Sequence, residues 1–85
     1  MNITDVKIRK TETEGRLKAV ASVTFDDEFV VHDIKILVGN DENYFIAMPS
    51  RKLPDGSYKD TAHPINSDFR KYIQDNVLEA FKNLD

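Results

Sequence analysis

The sequence predicts an α+β fold in which an antiparallel sheet of four to five strands packs against one C-terminal amphipathic helix in two layers. Two observations predict it. Extended segments with short turns between them fill Thr4 to Thr61, and apolar residues recur at helical spacing from Phe69 onward. The connections are too short for parallel neighbours, which need crossovers of about a dozen residues. No linker or repeat divides the chain, so we expect a single domain over residues 1–85.

The first two strands are predicted by strict alternation. Val6 and Ile8 share one side of the segment from Thr4 to Lys10, with charged residues on the other side. The polar segment Thr11 to Gly15 ends in glycine and is typical of a turn. A second alternating strand follows from Leu17 to Phe25, and we expect it to pair with the first strand as a hairpin.

Three further extended segments follow. Phe29 to Val38 is rich in Val and Ile, which favours a place in the middle of the sheet or under cover on both faces. Tyr44 to Met48 is a fourth strand, stopped by Pro49. The run Pro54-Asp55-Gly56-Ser57 is a strong turn signal, because proline presets the backbone and glycine tolerates a positive φ. A short fifth strand is predicted from Tyr58 to Thr61.

The C-terminal segment predicts one helix that runs to Leu84, about 27 Å long at 1.5 Å per residue. Asn66 and Ser67 are both suitable N-caps. One stripe of the helix is apolar and consists of Phe69, Ile73, Val77, Ala80, Phe81 and Leu84. The opposite stripe is polar, so the apolar one is expected to cover the sheet.

Composition narrows the class of protein. Net charge is −3, no cysteine is present, and no apolar run approaches the ~20 residues that a membrane span requires. The start of the chain lacks a basic region followed by an apolar core, so we expect no signal peptide. We therefore expect a cytoplasmic protein without disulfides or a membrane partner. A nucleic-acid coat without sequence preference is usually basic, so nucleic-acid binding would need a local patch.

Several ordered segments of this chain resemble the SpoVG family. They are Thr13-Glu14-Gly15-Arg16, Phe29 to Ile34, Ala47 to Lys52, Pro54-Asp55-Gly56, Asp60 and His63 to Asn66. The similarity covers nearly the whole chain in the right order. The chain departs from the commoner family pattern at Asp68 to Tyr72, where larger residues replace smaller ones.

The resemblance implies a small dimeric regulator that binds DNA, and in some members RNA, and that is linked to asymmetric septation. It implies no enzyme activity and no cofactor. We therefore expect a homodimer, associated through the strand from Phe29 to Val38 or through an open sheet edge. The alternative is a protein–protein adaptor that acts on septation proteins without direct nucleic-acid contact, and the acidic total charge favours it.

A basic patch in two parts is the best candidate for a nucleic-acid site. Arg51 and Lys52 open the loop before the Pro54 turn, and Lys59 lies across the hairpin. Arg70 and Lys71 lie in the first helical turn, where exposed N–H groups also favour anions. Cations at this end work against the helix dipole, and such a local conflict can mark a functional site.

Other candidate sites have simpler interpretations. His32, Asp33 and His63 lack the spacing of a metal site. We expect His32 to be partly buried and hydrogen-bonded to a neighbour, and His63 to fix the entry to the helix. No serine carries the pattern of a nucleophile, so no catalytic residue is predicted.

The aromatic residues are candidates for stacking on bases. Phe45 and Phe69 are predicted in the core, whereas Tyr58 and Tyr72 could contact bases at the rim of the protein.

Overall fold

A computed structural model describes residues 1–11 and 15–84 of the chain. Its elements are β1 (Ile3–Lys10), β2 (Leu17–Phe25), β3 (Phe29–Val38), β4 (Tyr44–Ala47), β5 (Ser50–Lys52), β6 (Tyr58–Asp60) and α1 (Ser67–Lys82). The main sheet is antiparallel in the order β1-β2-β3-β4, and β5 and β6 form a separate antiparallel pair. The predicted two-layer α+β fold is thus confirmed. Residues 12–14 of the predicted first turn lie outside the described residues.

The core lies between the main sheet and α1. Alternate residues of β2 are fully buried, and Ile34, Ile36 and Ile46 continue the same face across β3 and β4. From the helix, Ile73 and Val77 close the core. Side chains alternate across each strand, so the other half of them lies on the opposite face of the main sheet, which no helix of the described residues covers.

Strand β3 has the predicted position in the middle of the sheet, between β2 and β4. Strand β4 pairs only with the second half of β3, from Lys35 to Val38. In the first half, two residues, His32 and Asp33, lie opposite the single residue Ser22 of β2. This is a β-bulge, and Asp33 there has a φ of 65°, in the left-handed region that few residues other than glycine adopt.

The β5–β6 hairpin differs from the prediction. Arg51 and Lys52 lie in strand β5, so their placement in a loop was wrong, and the protein has six strands in its described residues. The physical reason is the tightness of the turn. The Gly56 N–H donates to the Leu53 carbonyl (2.9 Å), and the Leu53 N–H donates to the Ser57 carbonyl (2.7 Å). Gly56 has a φ of 89°, as the last residue of a three-residue hairpin loop requires.

Helix α1 begins after Asn66, whose side-chain Oδ1 accepts a hydrogen bond from the Phe69 N–H at 2.7 Å. Of the two N-cap candidates, Asn66 is therefore the one used. The helix ends at Lys82, two residues before the predicted end, and Asn83 caps it. No helix within residues 1–11 and 15–84 is both long enough and apolar enough to cross a membrane.

Candidate nucleic-acid interface

The β5–β6 hairpin holds three of the five predicted site residues. Arg51 lies directly opposite Lys59, and Lys52 lies opposite Tyr58. Because neighbouring residues of a strand point to opposite faces, Arg51 and Lys59 share one face and Lys52 lies on the other. All six strand residues of the hairpin are exposed.

The Arg51–Lys59 pair is electrostatically unfavourable within the hairpin. Like charges directly opposite each other destabilise an antiparallel pair. The only ion pair in the part of the chain that the structure describes joins Lys71 to Asp75, so no carboxylate neutralises Arg51 or Lys59 there. Asp60 belongs to the other face, opposite Ser50. The face with Arg51 and Lys59 is therefore suited to an external anion.

The helical half of the predicted patch is engaged locally. The Arg70 Nη2 donates to the Ile46 carbonyl at 3.5 Å. The Lys71 Nζ lies 2.8 Å from Asp75 Oδ2, and this hydrogen bond and the charge of Asp75 raise the pKa of Lys71. No hydrogen bond or ion pair among the described residues links these two cations to the hairpin. The structure thus unites Arg51 and Lys59, and the binding role of all five residues stays a prediction.

A second basic surface was missed by the sequence analysis. The open face of the main sheet, opposite α1, bears Lys7, Arg9 and Lys35 around two adjoining hollows of about 390 and 440 Å³. The polar positions of the alternating strand β1 were the available signal. Their alternation could not show that Lys35, two strands away, joins Arg9 on one surface.

The bulge in β3 lies at the edge of these hollows. The His32 Nδ1 is 2.9 Å from the Ser22 Oγ, so the predicted hydrogen bond to a neighbour is present. His32 is nevertheless exposed, and the prediction of partial burial was wrong, because its side chain points to the open face of the sheet.

The other histidine, His63, lies just before the helix. It is also exposed, with Nδ1 3.0 Å from the Pro64 carbonyl oxygen. No group of three potential metal ligands occurs among the described residues.

The aromatic residues divide between the two faces of the sheet. Phe69 packs against the core, with its ring 5.8 Å from that of Phe25, as predicted. The core position predicted for Phe45 was wrong, since Phe45 is 42% exposed. Its neighbour Ile46 faces the helix and is buried, so alternation directs Phe45 to the open face.

The two tyrosines predicted at the rim differ in their surroundings. The hydroxyl oxygen of Tyr72 accepts a hydrogen bond from the Ile3 N–H (2.9 Å), whereas the side chain of Tyr58 is 70% exposed.

Comparisons with known proteins identify the family. The SpoVG family model matches residues 1–83. A relative from Agathobacter rectalis is 61% identical over 82 residues, which cover 96% of this chain and 93% of the relative. One from Clostridium perfringens is 58% identical over 88 residues, covering 100% and 97%. One from Staphylococcus carnosus is 52% identical over 85 residues, covering 100% and 78%. All three bear the name "Putative septation protein SpoVG". The chain therefore belongs to the SpoVG family of septation and sporulation proteins.

Proposed function

We propose that this protein is a cytoplasmic, homodimeric regulator that binds nucleic acid through the β5–β6 hairpin and controls genes for septation, the envelope or developmental state. It acts by binding and not by catalysis. The observation that supports the proposal is the Arg51–Lys59 pair on an exposed two-stranded ribbon. A two-stranded ribbon fits the major groove of duplex DNA. The negative phosphate groups would neutralise the two cations, which have no carboxylate partner among the described residues.

The five candidate residues have different roles in this proposal. Arg51 and Lys59 contact phosphates from the ribbon, and Lys52 reaches the opposite wall of the groove. Arg70 and Lys71 provide secondary phosphate contacts at the start of α1, weakened for Lys71 by its ion pair with Asp75. In a dimer, two symmetry-related ribbons would add avidity and set a fixed spacing between half-sites.

The test is a fluorescence-anisotropy titration of labelled duplex DNA at several salt concentrations. We expect the Arg51→Ala/Lys59→Ala variant to bind more weakly and the slope of log K against log salt to fall by about 1 for each phosphate contact removed. The control is Lys10→Ala/Lys82→Ala, which removes the same charge from two exposed positions outside the hairpin. Equal losses in both variants, or no loss in either, would contradict a binding role for the ribbon.

The dimer is proposed to form at the N-terminal end of β3. Phe29 is 56% exposed and Val30 is 43% exposed there, beside the part of β3 that β4 does not cover. Elsewhere, the N–H groups of Ile3 in β1 and Ile46 in β4 donate to helix side chains, which reduces the capacity of those strands to pair with another chain. The free apolar end of β3 is the better surface for a second copy.

A second candidate function is the adaptor. The end of β3 adjoins an apolar cleft of about 90 Å³ whose lining includes Phe29, Val31, Met48, Pro64 and Phe69. A cleft of this kind fits an apolar side chain of a septation protein. The affinity for such a protein would change little with salt concentration, because few charges are involved. The affinity for nucleic acid would instead fall steeply as the salt concentration rises. Salt-insensitive capture of a division protein, without binding to duplex DNA, would favour the adaptor.

A further inference from the structure

The register of the main sheet places two cations in one row across its open face. Arg9 pairs with Val20, and Val20 pairs with Lys35. The two cationic residues are therefore two strand spacings apart, about 10 Å between backbones. Lys7 lies two residues along β1 from Arg9, about 7 Å away on the same face. Residues from two separate strands thus form a small basic surface with Val20 at its centre.

The charge of this surface is positive although the whole chain carries a net charge of −3. Lys7, Arg9 and Lys35 line the two hollows together with a single carboxylate, that of Asp33. No ion pair within residues 1–11 and 15–84 connects any of these four side chains. The three cations are therefore available to an anionic ligand, and Asp33 reduces the attraction.

An exposed aromatic ring lies on the same face. Phe45 is opposite Leu37, two residues along from the pairing of Lys35 with Ala47, and its side chain is 42% exposed. Cations that follow a sugar–phosphate backbone, with an aromatic ring on which a base can stack, are the features of single-strand binding surfaces. A duplex fits this face less well, because its bases are stacked inside and cannot reach the ring of Phe45.

The hollows continue to the hairpin. Ser50 of β5 and Thr61, next to β6, line the same hollow as Arg9 and Lys35. A strand bound on the open face would therefore leave it beside the ribbon that carries Arg51 and Lys59.

We infer that the open face of the main sheet binds single-stranded nucleic acid, with Lys7, Arg9 and Lys35 on the phosphates and Phe45 stacked on a base. The inference rests on the proposed nucleic-acid function and adds a second surface to it. The ribbon holds duplex, and the sheet face holds an adjoining single strand.

The test uses labelled oligouridylate and oligothymidylate of about 12 nucleotides, within the range of known single-strand sites, together with labelled duplex DNA. We expect Arg9→Ala/Lys35→Ala to weaken binding of the single strands and to lower the salt slope by about 1.4, at about 0.7 for each contact. Duplex binding should be unchanged. The matched variant Arg51→Ala/Lys59→Ala, which removes the same charge, should weaken duplex binding much more than single-strand binding.

Two further variants separate binding from folding. Phe45→Leu keeps an apolar side chain but removes the ring, and we expect it to weaken single-strand binding about fivefold or more. Asp33→Asn removes the carboxylate that lines the hollows, and asparagine tolerates the positive φ at this position. It should strengthen single-strand binding about twofold, as expected for one unit charge several ångströms away. Such a gain cannot result from unfolding.

The outcomes distinguish the two proposals. Single-strand binding that is indifferent to the sheet-face variants, or a wild-type protein that binds only duplex, overturns this inference and leaves the proposed function intact. A wild-type protein that binds neither form overturns both. Loss in the sheet-face variants for either oligonucleotide supports the inference, and a preference for oligouridylate or oligothymidylate then identifies RNA or DNA as the ligand.

Discussion

At the scale of single residues, Tyr72 connects the helix to the first strand. Its hydroxyl oxygen accepts a hydrogen bond from the Ile3 N–H at 2.9 Å, across 69 positions of sequence. Its ring stacks on Phe69, with centroids 5.8 Å apart. Both residues belong to the segment Asp68 to Tyr72, in which a departure from the commoner family pattern stays a prediction. Packing and hydrogen bonding inside this protein therefore hold the two aromatic side chains of that segment, Phe69 and Tyr72.

The variant Tyr72→Phe tests this hydrogen bond. The ring contact with Phe69 is kept, and the partly buried Ile3 N–H loses its acceptor. We expect the free energy of unfolding to fall by about 1 kcal/mol, the usual net value of such a bond. Urea denaturation monitored by circular dichroism measures it. The control is Tyr58→Phe, since Tyr58 is 70% exposed and should show no change. Equal stability of Tyr72→Phe and wild type would rule out a stabilising role for the hydroxyl.

At the scale of elements, the β5–β6 hairpin depends on its turn. All its strand residues are exposed, and a two-stranded hairpin by itself is only marginally stable in water. The Asp55 Oδ1 accepts hydrogen bonds from the Ser57 N–H (3.0 Å) and the Ser57 hydroxyl (2.7 Å). Both hydrogen bonds lower the pKa of Asp55 from its ordinary value of 3.8, and the bond from the Ser57 hydroxyl contributes more than the bond from the Ser57 N–H. The ionised carboxylate therefore supports the geometry that aligns Arg51 with Lys59.

This arrangement predicts a pH dependence of the hairpin. A carboxylate whose folded pKa is depressed stabilises the fold above its unfolded pKa, and the contribution is lost as pH falls through the folded pKa. We expect the hairpin to loosen only below about pH 3.8. The amide chemical shift and hydrogen exchange of Ser57, followed by NMR during acidification, report it.

The Asp55→Asn variant is the control for this titration. Asparagine keeps an acceptor oxygen for Ser57 but has no carboxyl group to protonate. Its Ser57 amide should not titrate, whereas that of Asn43, which donates to the separate carboxylate of Asp41, should still do so. A Ser57 amide that titrates equally in the variant would show that another group is responsible.

At the scale of the whole molecule, the three cations of the open sheet face and the apolar end of β3 occupy different parts of the surface. The open sheet face carries Lys7, Arg9 and Lys35, whereas the exposed apolar residues Phe29 and Val30 lie at the end of β3. A second copy can therefore occupy the apolar end without neutralising the basic face. This separation is what a dimer that binds a polyanion requires.

The proposed dimer is tested by Phe29→Ser. We expect the dissociation constant of the dimer to rise by at least about thirtyfold, since removing a buried aromatic anchor costs about 2 kcal/mol or more. Sedimentation velocity over a range of concentrations measures it. Ile65→Ser is the matched control, because Ile65 is 90% exposed and does not line the cleft beside Phe29. A wild-type protein that sediments as a monomer, or equal effects of both variants, would contradict this surface.

The sequence by itself determined the features that depend on neighbouring residues. The strands follow from alternation, α1 from its 3.6-residue period, and the hairpin turn from Pro54 and Gly56. The N-cap was narrowed to Asn66 or Ser67, because either side chain can accept from the first turn. The order of the motifs also identified the family.

Only the tertiary structure decided the features that depend on strand register. It paired Arg51 with Lys59, joined Arg9 and Lys35 through Val20, and placed Phe45 on the open face instead of in the core. Alternation separates the two faces of a strand but does not say which face the helix covers or which residue lies opposite. Those choices are set by pairing between distant segments, because a shift of one residue would exchange the buried and exposed faces of a whole strand.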